Sequence, residues 1–430
     1  MKISLSEVIT FLLTLFLANP VFSMDFEEVW LHFYKNSHEM ESIRKDEKAA
    51  ELSLERAGLH WLPKISLMAQ WIDTNDPGQV LFNTLGQRSM KATDFVPSSL
   101  NYPDRKQFIN GLIGLELPFY EGGLRVGEHS MLASLLQASR IEKKARQTEI
   151  FSDLAKKYGS IIVYQQNLFS LKKLKHELDK IISSYQIGSR NNPLGHSGLL
   201  GLKGLSNRIQ GLFIVFEQEL DTSKNWISSK AGLNQDWSIE ENSISDYVRR
   251  HLDIDPTVIA SSLLSAQEFK VTSLDYVSHM EKARYLPQVG LFAQNQLYSG
   301  DRNTENIQAF GLYLRWELFN SDSFNRSAVA RAKAMSAKAK LRSSMQEETL
   351  MRSKLMRAKE ALEINLELLE SSSSYLTEQT RNSMRLFRSG QLNALQLAEV
   401  INRRVDLLEQ KNSVELQYLD IRMALYKLTH

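Results

Sequence analysis

Four short runs of this chain alternate apolar and polar positions with period two. Ile65, Leu67, Ala69 and Trp71 stand against Lys64, Ser66, Met68 and Gln70, and Ile109, Gly111, Ile113, Leu115 and Leu117 stand against Asn110, Leu112, Gly114 and Glu116. Val289, Leu291 and Ala293 alternate with Gly290, Phe292 and Gln294, and Phe310, Leu312, Leu314, Trp316 and Leu318 alternate with Gly311, Tyr313, Arg315 and Glu317. This period predicts strands near 64–72, 107–119, 288–298 and 307–319. Each run has the length of roughly ten residues that a tilted strand needs to cross a bilayer. A soluble sheet with one buried face has the same period, so alternation alone leaves both readings open.

Elsewhere the pattern is helical. No proline follows Pro287, and no glycine lies between Gly311 and Gly390. Positions 320–388 are rich in Ala, Lys, Arg, Glu, Met and Leu, which favour helix, and a helix of that length would run about 100 Å. Glu121 to Gln186 is a second stretch of nearly equal length. Helices this long demand lateral partners, as in coiled coils. The spacing of Val414, Tyr418, Ile421, Leu425 and Leu428, and of Ala398, Ile401, Val405 and Leu408, is that of one contact stripe. Shorter helices are predicted near 26–58, 197–232, 256–285 and 392–429.

The order helix, strand, loop, strand, long helix, glycine tip, helix occurs twice. Leu62-Pro63-Lys64-Ile65 echoes Leu286-Pro287-Gln288-Val289, Leu115-Glu116-Leu117-Pro118-Phe119-Tyr120 echoes Leu314-Arg315-Trp316-Glu317-Leu318-Phe319, and Tyr185-Gln186-Ile187-Gly188 echoes Phe387-Arg388-Ser389-Gly390. The predicted architecture is mainly α with a β portion, divided into a first repeat over 24–255 and a second over 256–430. The first strand pair carries a long insertion between Asp73 and Lys106, whereas the second turns tightly around 299–304. Four strands cannot close a barrel, and lipid does not tolerate open edges. A membrane reading therefore obliges several chains to share one barrel, two giving eight strands and three giving twelve.

Charge and composition narrow the function. The 430 residues carry 52 basic and 50 acidic side chains, a balance that gives no case for a nucleic-acid partner. Apolar residues make up 43% and charged residues 24%, which excludes a disordered chain and a helical membrane bundle. The absence of cysteine removes disulfides, thiolate metal sites, a cysteine nucleophile and a lipid anchor on an N-terminal cysteine. Residues 1–23 place Lys2 before the apolar stretch Val8 to Ala18 and end in Asn19-Pro20-Val21-Phe22-Ser23, the order of a secretory signal peptide cleaved near Ser23. The apolar stretch is shorter than the roughly 20 residues of a membrane anchor. The nine histidines include no His-Glu-x-x-His and no i, i+4 pair, so no metal site is expected. Neither a nucleophile elbow nor a phosphate loop occurs, and no catalytic residue or cofactor is assigned.

The chain resembles the TolC-like outer-membrane efflux protein family over essentially its whole mature length. The carriers are Leu62-Pro63-Lys64-Ile65-Ser66-Leu67, the strand end Leu117-Pro118-Phe119-Tyr120-Glu121-Gly122-Gly123, the loop from Asp76-Pro77-Gly78 to Pro103, and the tip motif Leu386-Phe387-Arg388-Ser389-Gly390. The resemblance implies a homotrimer whose twelve-strand outer-membrane β-barrel continues into a periplasmic α-helical barrel. It implies the passive exit duct of a tripartite system, in the outer membrane of a Gram-negative bacterium, working with a periplasmic adaptor and an inner-membrane transporter. A duct for type I protein secretion is the alternative within the family. A soluble periplasmic coiled-coil scaffold is the alternative of a different class.

The resemblance also implies site residues. Tip turns fall on Gly188 and Gly390. The family's acidic lumen ring, associated with cation selectivity, maps onto Gln396 and Glu399, so one of its two acids is missing and cation focusing should be weaker. Arg388, Arg403 and Arg404 are candidates for ion pairs that hold the tip closed. Trp61, Tyr120, Trp316 and Phe319 fall at the helix-side ends of the strands, where an aromatic girdle meets the membrane interface. The glycines at 195, 198, 201 and 204 depart from the family's tip and read either as a close helix contact or as a pliable turn.

Overall fold

The computed structural model describes residues 22–185, 193–233, 237–241, 243–252 and 260–430. In chain order the elements are β1 (Phe22–Met24), α1 (Phe26–Asn36), α2 (His38–Gly58), β2 (Lys64–Thr74), α3 (Pro77–Gly86), α4 (Pro97–Asn101), β3 (Lys106–Glu121), α5 (Leu124–Ser184), α6 (Pro193–Ala231), β4 (Trp237–Ile239), α7 (Ile244–His251), α8 (Ser262–Ala283), β5 (Gln288–Gly300), β6 (Thr304–Arg315), α9 (Arg326–Arg388) and α10 (Ala394–Thr429). The fold is mainly α with an antiparallel β portion, as the sequence predicts. Two compact units emerge, each drawing on separate stretches of the chain. One comprises Met1–Asp46, Arg140–Ser265 and Ser343–His430; the other comprises Glu47–Ser139 and Ala266–Arg342.

The second unit holds a four-stranded antiparallel sheet in the order β2-β3-β5-β6. Its register puts the alternating sets on one face: Ile65 opposes Leu115, Leu67 opposes Ile113, Trp71 opposes Ile109, Leu291 pairs with both Leu117 and Leu312, and Ala293 opposes Phe310. That apolar face is open, with Leu67 75% and Phe310 89% exposed. The opposite face carries Lys64, Gln70, Asn110, Glu116, Gln294 and Arg315. Gly290 and Gly311 sit under the rings of Tyr313 and Phe292, where a Cβ would come within 2.6 and 2.9 Å, and a Cβ on Gly300 would lie 2.5 Å from Gln87 Nε2. Strands β2 and β6 are the edges of the sheet.

The first unit contains the main core. Phe26, Val29, Phe33, Leu154, Tyr158, Ile161, Leu171, Leu397, Ile401, Val405 and Leu419 all belong to one buried cluster. The seam residues Ile401, Val405 and Leu408 of α10 are buried as their spacing requires. The helical stretch 26–58 is interrupted: Ser37, 4% exposed, separates α1 from α2, and its N–H bonds to Phe33 O at 2.9 Å. Residues 1–21 of the expected leader lie outside the described residues, while Phe22 and Ser23 pair in β1 with Trp237 and Ser238 of β4. Among the described residues no helix is long and apolar enough to cross a membrane.

Candidate functional site

The turn between α9 and α10 is built by two local motifs. Gly390 takes φ +75°. Its N–H bonds to Phe387 O at 3.0 Å, and the Gln391 N–H reaches back to Leu386 O at 2.9 Å, the paired bonds that close a helix through a left-handed residue. Three residues later Asn393 starts α10. Its Oδ1 accepts from the Gln396 N–H at 2.9 Å, and Gln396 Oε1 accepts from the Asn393 N–H at 3.2 Å, a capping box. The amide of Gln396 is thus held by its own helix start. The Phe387 ring stacks on Tyr185 at 5.8 Å, and the Tyr185 hydroxyl donates to Gly195 O at 3.2 Å. Together with Arg388, Asn393 and Leu395 these residues line a cleft of about 550 Å³. Gly188 lies outside the described residues.

Of the glycine series, Gly198 makes the close approach. A Cβ there would lie 2.5 Å from that of Ala394, whereas Gly204 faces open space. Further from the turn, Arg208 of α6 ties itself to α10 through Asn402 (2.5 Å), Asp406 (2.7 Å) and Glu409 (3.0 Å). Lys175 of α5 pairs with Asp179 at 2.5 Å, and Ser206 of α6 donates to the same carboxylate at 2.7 Å; the Lys175 bond holds Asp179 below the usual carboxylate range. Glu399 and Arg403, both exposed, pair with each other one turn apart on α10. Arg404 is half-buried, and burial lowers its pKa against the opposing pull of Glu177. Arg388 is exposed and has no acidic partner among the described residues. The tip residues thus gather around one turn, but Gln396 serves as a cap and Arg403 answers Glu399 within its own helix.

Sequence reading missed Arg208, because its partners lie 194 to 201 positions away. It also missed the cap, although Asn393-x-x-Gln396 is a local signal. Removing the Arg208 clamp by Arg208→Ala should cost about 1 kcal/mol, since the pair is partly solvated. Thermal melting of Arg208→Ala, Glu409→Ala and the double variant checks this: the double variant should lose less than the sum of the singles.

The second cluster lies in the sheet unit. Trp61 precedes β2, Tyr120 pairs with Val289 across a β-bulge in β3, and Val289 pairs with Leu314, so these positions and Trp316 share one end of the sheet. β6 ends at Arg315, earlier than its alternation suggests, and Trp316 and Phe319 lie beyond it. The indole N–H of Trp316 donates to Tyr285 O at 3.2 Å, while Phe319 is 84% exposed. At the other end, Arg302 in the β5–β6 turn binds both oxygens of Asp94 at 2.6 and 2.7 Å and pins the 75–105 loop; this contact holds Asp94 far below the usual carboxylate range. Among the described residues no group of three or more His, Asp or Glu side chains is placed to hold a metal ion.

Comparison with solved structures gives consistent likenesses. The outer membrane protein VceC of Vibrio cholerae superposes with a TM-score of 0.72 at 12% identity, covering 93% of this chain and 94% of that one. CusC, described through its transmembrane channel formation, gives 0.77 at 10% identity over 94% and 92%. The CmeC outer membrane channel of Campylobacter jejuni gives 0.73 at 12% identity over 94% and 85%. The chain has the TolC-like fold of these channels. No protein-family profile and no curated protein matches the sequence itself.

Proposed function

We propose that this chain is the outer-membrane exit duct of a tripartite efflux or export system, passively conducting cargo supplied by an inner-membrane transporter through a periplasmic adaptor. The observation that carries the reading is the open apolar face of the four-stranded sheet, exposed although every strand is in register. In water such a face is a liability, and in lipid it is a requirement. The edges β2 and β6 need partners. Two copies joined edge to edge would give eight strands and three would give twelve; the homotrimer is the choice that the TolC-like resemblance implies. Trp61, Tyr120, Trp316 and Phe319 then anchor the rim at the interface. The Gly390 turn at the end of α9, with Gln396, Glu399, Arg388 and Arg403 around it, is the candidate gate. The fold shared with outer-membrane channels of Gram-negative bacteria supports the same reading.

Planar-bilayer recording of the detergent-purified mature protein tests it. Discrete, long-lived conductance steps are expected. A protein that stays soluble without detergent and never inserts would leave the periplasmic scaffold as the account.

A further inference from the structure

The charge balance of the whole chain conceals a local excess at the helix tips. Residues 170–185, 193–208, 374–388 and 394–409 together hold eleven Lys and Arg against six Asp and Glu, in a chain with 52 against 50. Four of those six acids are already occupied: Asp179 by Lys175, Glu399 by Arg403, and Asp406 and Glu409 by Arg208. Glu177 and Glu378 are the acids left outside ion pairs there among the described residues. Eight basic groups are left over, and three of them share one face. Arg381, Arg385 and Arg388 stand at i, i+4 and i+7, one exposed face of the last two turns of α9. Arg388 also borders the cleft beside Phe387 and Asn393. The dipole of a helix end favours a cation in its last turn, which accounts for Arg385 and Arg388. Arg381 lies further back, and its place on the same face continues the stripe away from the terminus.

Resting on the duct reading above, we propose that Arg381, Arg385 and Arg388 set the charge preference of the tip, so that the duct favours anionic cargo. The carboxamide of Gln396 supplies no charge, and Arg403 neutralises Glu399, so the two positions expected to attract cations do not oppose the stripe. A trimer carries nine of these guanidinium groups around its tip. A predominantly basic ring in a confined aqueous passage, three guanidinium groups to the one exposed acid, Glu378, that precedes Arg381 on the same face, raises the local concentration of anions by ordinary electrostatics. Carboxylate- and phosphate-bearing solutes are the chemical class this stripe suits.

The test is the chloride-to-potassium permeability ratio, read from the reversal potential of single channels in a KCl gradient. Wild type should give a ratio above one. R381Q/R385Q/R388Q should lower it about threefold or more, and R381K/R385K/R388K, which keeps the charge, should restore it. Should the triple glutamine variant form no channels, the single Arg385→Gln carries the comparison with a smaller shift in the same direction. Wild-type channels that prefer potassium overturn this proposal and leave the duct standing. An unchanged ratio in the glutamine variants also overturns it and gives the stripe to another role, such as docking an acidic partner surface. Wild-type protein that forms no channels at all removes the duct reading, and this proposal with it.

Discussion

Gly122→Val should destabilise the sheet unit by about 3 kcal/mol or more, while Gly123→Ala one position later should cost about 1 kcal/mol. Both glycines sit in the turn that converts β3 into α5, and both have positive φ, +64° and +88°. Either substitution therefore meets backbone strain, because a Cβ crowds the neighbouring carbonyl in the left-handed region. Their surroundings differ. A Cβ on Gly122 would lie 2.5 Å from the carbonyl oxygen of Ala283 and 2.7 Å from Leu286 Cβ, whereas one on Gly123 meets nothing within 4 Å. Backbone oxygen cannot rotate away as a side chain can, so valine has to push β3 off the end of α8. Glu121, which accepts from Arg125 Nε at 2.6 Å across this same turn, would lose its geometry as well. Melting of the detergent-solubilised variants checks the claim. The midpoint for Gly122→Val should fall by several degrees more than that for Gly123→Ala. Equal falls would show that the approach to Ala283 is immaterial and that positive φ alone explains the pair of glycines.

The strands were legible because one face of the sheet is mostly apolar, broken only locally at positions such as Asn295 and Gln308, so the period of two stays visible. The same clarity misplaced the end of β6. Trp316 and Leu318 continue the alternation, but the chain leaves the sheet at Arg315, where Trp316 turns its N–H to Tyr285 O and Asn320 caps a short turn at Ser321–Ser323. Alternation reports which side chains are apolar and carries no information about where ladder hydrogen bonds stop. The break at Ser37 had a local signal that the helical reading passed over: Asn36-Ser37-His38 are weak helix formers, and Ser37 Oγ accepts from the Glu39 N–H at 3.2 Å, capping α2. Helix α3 also had a readable start, Asp76-Pro77, an N-cap followed by proline at the first helical position; Asp76 accepts from the Gln79 N–H at 2.7 Å. At the tip, Gly390 could be placed from its motif, since one left-handed residue is a local requirement. The Arg208 clamp could not, because its cost and benefit arise only when α6 and α10 lie side by side. The parallel pair β1 and β4 is the extreme case, with three residues in each strand and more than two hundred residues between them.

Glu241, just past that pair, carries the other large expected effect. Its carboxylate accepts from the Phe26 N–H at 3.4 Å and from the Tyr158 hydroxyl, and His251 Nε2 stands 3.4 Å from it. Met24 O lies 2.9 Å from the same hydroxyl and shares its one proton with the carboxylate, so one buried phenol joins β1 to Glu241. Burial first, and Glu241 second, hold that phenol far above its ordinary pKa, which keeps it a neutral donor at any physiological pH. Around these groups Phe26 packs edge-on to Phe151, Tyr158, Tyr247 and His251 with centroids 5.2 to 5.5 Å apart, and Glu241, Tyr158 and Tyr247 are buried. Glu241→Ala should therefore cost about 3 kcal/mol, the penalty of orphaning buried polar groups added to a cavity. Glu241→Gln keeps an acceptor of the same shape and should cost about 1 kcal/mol. Tyr158→Phe tests the coupling: the double variant with Glu241→Ala should lose clearly less stability than the two singles summed. Additive losses would mean that the hydroxyl and the carboxylate act independently, and the start of the chain would then be held by the aromatic packing of Phe26 alone.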